Sequence, residues 1–120
     1  MKLPRNGKNS NPAHKMIVQS RMESDGTGVL TVVVNTLTSV NAPEFRIAAE
    51  QMIANSSGQV LVDCSQVEFL DSSGVGAFLH AHNLLAEKRR PVRLLGVGSR
   101  LLAILELMQV HRIFDLDIRK

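Results

Sequence analysis

The chain has no tryptophan, no tyrosine, four phenylalanines and a single cysteine in 120 residues. Each shortage excludes something. With one thiol no intramolecular disulfide can form, which suits a reducing, cytoplasmic setting. Cys64 ends the apolar run Val60–Cys64 and reads as a small buried hydrophobe. Scarce aromatics call for an aliphatic core and remove the stacking platforms that bind single-stranded nucleic acid, so no direct nucleic-acid partner is expected. No apolar run approaches ~20 residues, which excludes a membrane-spanning helix. The N-terminus lacks the apolar stretch of a signal peptide. His80 and His82 are two apart in a helical stretch and point to different sides, while His14 and His111 lie elsewhere. No carboxylate or thiol completes a ligand set with them, so no metal is expected. Gly96-Val-Gly98-Ser-Arg-Leu101 has the strand–turn–helix context of a dinucleotide fingerprint. It carries Leu101 where the third glycine belongs, and one strand follows it, too little for that fold. No cofactor is expected.

What is present suffices for one domain. Hydrophobic residues make up 44% of the chain, and a chain of this size buries roughly two-thirds of its unfolded surface. The net charge of +3 is unevenly spread. Lys2, Arg5, Lys8 and Lys15 stand in a polar leader, and Lys88-Arg89-Arg90 closes the second helix, where cations complement the helix dipole. Residues 1–14, rich in Asn with Pro4 and Pro12, read as a disordered tail, and 15–120 as the folded domain.

Along that domain, strands are predicted from Met16 to about Met22 and over Val29–Val34, joined by Ser24-Asp-Gly-Thr-Gly28 into a hairpin. The second strand is apolar almost throughout, as for a strand covered on both faces. Asn35 to Val40 reads as a loop. A helix capped by Asn41 or Ala42, with Pro43 in its first turn, buries Phe45, Ala48, Ala49, Met52 and Ile53, and Asn55-Ser-Ser-Gly58 stops it. After the central strand and second helix come a strand over Pro91–Val97, a third helix capped by Ser99 and running to about Gln109, and an edge strand over Ile113–Ile118. The order β-β-α-β-α-β-α-β predicts an α/β fold: a mixed β-sheet with an N-terminal hairpin and three packed helices.

The most informative stretch is Val60-Leu-Val-Asp-Cys-Ser-Gln-Val-Glu-Phe-Leu-Asp-Ser-Ser-Gly-Val-Gly76. It delivers Asp71, Ser72, Ser73 and Gly74 to the start of a helix whose apolar face is Val75, Phe78, Leu79, His82, Leu85 and Ala86. Gly74, Gly76, Ala77 and Ala81 allow close packing. The hydroxyls stand where backbone N–H groups lack intrahelical partners. Three roles are open to them: helix cap, nucleophile, or acceptor of a phosphoryl group beside the positive end of the dipole. Neither a Gly-x-Ser-x-Gly elbow nor an adjacent histidine supports the nucleophile. The third helix is apolar around most of its circumference. Leu101, Ile104, Leu105 and Met108 face the core, and Leu102 and Leu107 are either covered or form an interaction patch.

Val60-Leu-Val-Asp-Cys-Ser with Val67-Glu-Phe-Leu-Asp-Ser-Ser-Gly-Val-Gly76 resembles the STAS domain, named for sulphate transporters and anti-sigma factor antagonists. Gly96 to Leu101 and Leu107-Met-Gln-Val-His-Arg-Ile-Phe114 are similar to that family's third helix and last strand. The likeness covers about residues 16 to 118, and the small size resembles the bacterial anti-sigma factor antagonists. It implies a cytoplasmic binding module that is not an enzyme. Unphosphorylated, such a protein holds an anti-sigma factor, often a serine kinase of the GHKL ATPase type. The kinase phosphorylates the serine after the Asp, here Ser72 with Ser73 the lesser candidate, and a phosphatase reverses it. The partner surface implied is Asp71, Ser72, Ser73, Gly74, Gly76, Thr38, Asn41 and Phe78, with the two glycines admitting a partner's backbone. The family commonly carries Gly-Glu-Leu-Asp before its first helix, where this chain has Asn35-Thr-Leu-Thr38. Many members continue into a fourth helix beyond the point matching Lys120, and weak self-association is expected without it. The alternative is a STAS scaffold or sensor subunit of a larger signalling or transport assembly, with Ser72 only a cap.

Overall fold

The computed structural model describes residues 16–90 and 92–119; the expected tail at 1–14 lies outside them. Five strands form one sheet in the order β1-β2-β4-β6-β7: β1 (Val18–Met22), β2 (Gly28–Val32), β4 (Val60–Asp63), β6 (Val92–Val97) and β7 (Asp115–Ile118). A separate two-stranded parallel sheet joins β3 (Thr36–Leu37) to β5 (Phe69–Leu70). The helices are α1 (Ala42–Asn55), α2 (Ser72–Glu87) and α3 (Ser99–Leu107).

Only β1 and β2 run antiparallel, joined by a turn in which Gly26, at φ 91°, donates its N–H to the Glu23 carbonyl. The remaining pairs are parallel, as chain reversal through a helix requires. Strand registry lines up Leu30, Val62 and Leu94 as one buried row, with the half-buried Leu116 at its end. The opposite row runs Val29, Leu61, Arg93, Asp115. There Arg93 pairs with Asp115 at 3.6 Å, and Thr31 and Asp63 on the same face are half-exposed. Alternation of this kind marks a sheet with one dry face. β2 itself is covered on both faces as its near-continuous apolarity predicts, with Val29 buried and only Thr31 half-exposed.

On the dry face α1 and α2 pack together. Three of the four phenylalanines make a column there: Phe45 and Phe78 centroids are 5.1 Å apart, and Phe78 meets Phe114 edge-on at 6.3 Å. Burying a ring of that size stabilises by about 1.5–3 kcal/mol, so this column holds α1, α2 and the turn before β7 together. Cys64 is fully buried, and burial pushes its thiol pKa up, with Asp63 adding to the effect.

The basic run after α2 does not serve its own helix. α2 has no cation in its last turn. Arg90 instead reaches back to α1, donating from Nε to the Gly58 carbonyl at 2.8 Å, from Nη1 to the Ile53 carbonyl at 3.1 Å, and to Ser56 Oγ. It satisfies carbonyls that the end of α1 leaves open. Ser99 is the first residue of α3 rather than its cap; Gly98 holds the cap position without a side-chain bond. Leu102 packs against the core, and Leu107 stands 83% exposed. Among the described residues no helix is long and apolar enough to cross a membrane.

Candidate functional site

The site forms where the small sheet meets the start of α2. Between β4 and α2 the chain passes through β5, which pairs with β3 and so draws residues 36–41 alongside residues 69–74. Residues 35–40, which read as a loop in the sequence, contain β3. Two-residue strands are too short to show alternation, and their partner lies more than thirty positions away.

Asp71 joins the two segments. Its Oδ1 accepts the Gly74 N–H at 2.9 Å, which caps α2, and its Oδ2 accepts the Ser39 N–H at 3.1 Å. The Gly74 N–H holds the Asp71 carboxyl below the usual carboxylate range, with the Ser39 and Ser73 N–H groups adding to it. The N-cap is therefore Asp71, and neither serine caps the helix. Ser72 is the first helical residue and exposed, and its hydroxyl has no hydrogen-bond partner among the described residues. Ser73 beside it is half-buried.

The facing loop is pinned by its own side chains. Asn41 Oδ1 accepts the Thr38 N–H at 2.9 Å, and its Nδ2 donates to the Thr36 carbonyl at 3.0 Å. Asn41 stands at the N-cap position of α1 but spends its side chain on the loop, making no cap bond. Thr38 Oγ1 accepts the Val40 N–H at 3.3 Å. The result is an open cleft of about 330 Å³, with Ser39, Ala42, Pro43 and Arg46 on one side and Ser72, Ser73 and Gly76 on the other.

Two residues expected on the partner surface serve the interior instead. Phe78 is 1% exposed, held in the aromatic column, because it lies on the helix face opposite the cleft. Gly74 is buried, and a Cβ there would run into the Leu37 carbonyl oxygen. Its missing side chain admits this chain's own backbone rather than a partner's. At Gly76, by contrast, nothing lies within 4 Å of where its Cβ would stand.

Away from the cleft, two histidines of α2 have neighbours of their own. His80 Nε2 lies 2.6 Å from Glu50 Oε2, and His82 meets the Phe114 ring edge-on at 5.9 Å. Among the described residues no group of His, Cys, Asp and Glu could hold a metal ion. The β6–β7 pairing shifts register between Leu94 and Val97, and within that step Gly96 takes φ +67° against Ser65.

Known proteins share this fold. An anti-sigma-B factor antagonist of Listeria monocytogenes is 23% identical over 94 residues, covering 78% of this chain and 82% of that one. The anti-sigma-factor antagonist STAS domain protein of Planctomyces limnophilus superposes with a TM-score of 0.75 at 16% identity, covering 86% of this chain and 91% of that one. The phosphorylated form of the Bacillus cell fate determinant SpoIIAA superposes with a TM-score of 0.65 at 17% identity, again covering 86% and 91%. The family model described as "Mlab, STAS domain" matches residues 21–117. With the strand order, the Asp71–Gly74 turn and that match in agreement, the chain belongs to the STAS family.

Proposed function

We propose that this chain is an anti-sigma factor antagonist whose grip on an anti-sigma factor of the serine-kinase type is released by phosphorylation of Ser72. One observation carries this: Asp71 performs the capping, which leaves the exposed Ser72 hydroxyl with no structural duty beside an open cleft. A serine kept only for its cap bond would make one. The Listeria relative bears the antagonist name, and the Bacillus neighbour exists in a phosphorylated form.

In the switch, the bond from the γ-phosphorus to the ADP oxygen breaks as Ser72 Oγ takes the phosphoryl group and its proton leaves to solvent. The product carries about −1.5 to −2 charges next to Asp71, and like charge together with desolvation opposes re-docking of the partner. A cognate phosphatase restores the hydroxyl by hydrolysis. The chain itself is substrate and binding surface rather than catalyst, and acts in the cytoplasm. Asp71, Ser72, Ser73, Gly76, Thr38 and Asn41 form or shape the contact surface.

The test is direct. Incubated with ATP and the anti-sigma kinase of its own organism, the protein should gain one phosphate, located at Ser72 by mass spectrometry, and Ser72→Ala should gain none. A phosphate absent from Ser72, or found on Ser73 alone, would end the proposal in favour of a STAS scaffold within a larger assembly.

A further inference from the structure

Arg46 stands on the rim of the cleft that holds Ser72, one helix away on the exposed face of α1. Among the described residues it makes no hydrogen bond and no ion pair. The carboxylate one turn along, with which a helical arginine can pair, is Glu50. The Glu50 carboxylate is taken from α2 by His80, at 2.6 Å. Across the cleft, the empty space over Gly76 leaves room for a long side chain to lie against α2. A guanidinium presents five donors in a planar fork that matches the oxygens of a phosphate or a carboxylate.

We infer that Arg46 is the cation that reads the state of Ser72: it pairs with the phosphate when Ser72 carries one, and with a partner's carboxylate when Ser72 is bare. The inference rests on the switch proposed above. It changes what phosphorylation does, because the modification withdraws a favourable contact from the interface as well as adding charge to it. It also describes the partner's contact patch. Pro43 lines the cleft beside Arg46, Ile47, 55% exposed, follows it in the chain, and Val40, 88% exposed, stands just ahead of α1. The complementary surface is therefore an acidic side chain set among apolar ones.

The experiment needs neither kinase nor partner. Protein carrying genetically encoded phosphoserine at position 72 is titrated by phosphorus NMR, as is and with Arg46→Ala or Arg46→Lys. A neighbouring cation favours the dianion, so removing it should raise the second phosphate pKa by about half a unit or more. The lysine variant should recover part of that shift. Asp71 and Glu50 are present in all three proteins, so their influence cancels. Identical titrations for the parent and Arg46→Ala would overturn the role of Arg46 and leave the switch standing. Failure of the kinase to label Ser72 would remove both.

Discussion

Two helices of this chain start with a serine in the first helical position, Ser72 on α2 and Ser99 on α3. Both serines are exposed and both follow a strand, so neither exposure nor context separates them. The surroundings do. At α2 the cap is a carboxylate that also holds the neighbouring loop, and the cleft beyond the serine is open. At α3 the cap position is Gly98, which lacks a side chain, and the Arg119 guanidinium lies over it, anchored to the Ser65 carbonyl at 2.7 Å. Arg100 is engaged there with Glu68 at 3.4 Å. The chain's own cations, Arg100 and Arg119, line the mouth of α3 and leave a hollow of about 140 Å³ there; the cleft at α2 is about 330 Å³. A serine becomes addressable when a different residue does the capping and nothing already occupies the approach.

The strongest way to break this contrast is through the glycines. Gly74→Ala sets a methyl against the fixed Leu37 carbonyl and should cost about 1–3 kcal/mol in urea unfolding. Gly98→Ala meets the movable end of the Arg119 side chain and should cost less than about 1 kcal/mol. Equal losses would mean that the small sheet is not the rigid support of the site.

Next in size is Asp71→Asn, which should lower stability at neutral pH by more than Ser99→Ala does. The sign of its pH dependence is fixed. The folded Asp71 pKa lies below the unfolded value, so its contribution is complete above that value and lost as pH falls through the folded one. The gap between parent and Asp71→Asn should be widest near pH 7 and close below about pH 4. A gap independent of pH would show that the carboxylate charge is not what matters.

The smallest effect sharpens rather than breaks the comparison. Gly76→Ala fills empty space within a helix and should stabilise by about 0.5–1 kcal/mol. Its methyl projects into the cleft, so capture of the anti-sigma partner should weaken even as the fold tightens. Stability and binding moving in the same direction would place the docking surface elsewhere.

Much of this was legible in the sequence. The order of long elements followed from apolar periodicity, and the Asp71–Gly74 turn announced itself by composition. The cap stays open at the level of sequence because Asp and Ser are nearly equal N-cap formers and adjacent here, so propensity cannot choose between them. Phe78 was placed on the right stripe but given an outward duty as well, and a residue shared with Phe45 and Phe114 cannot serve both. Gly74 looked like a partner's berth because its true neighbour, Leu37, arrives through strands of two residues that leave no pattern. Arg90 sits in a basic run that reads as complementing the dipole of its own helix; only the close approach of the end of α1 shows that it caps a different one.

One carboxylate serving two segments has a mechanical consequence. The amides of Ser39 and Gly74 share Asp71 as their acceptor, so a fluctuation that swings this side chain away exposes both at once. Loop and helix start then loosen as a single unit, and a visitor that grips the loop also feels how firmly the helix is wound.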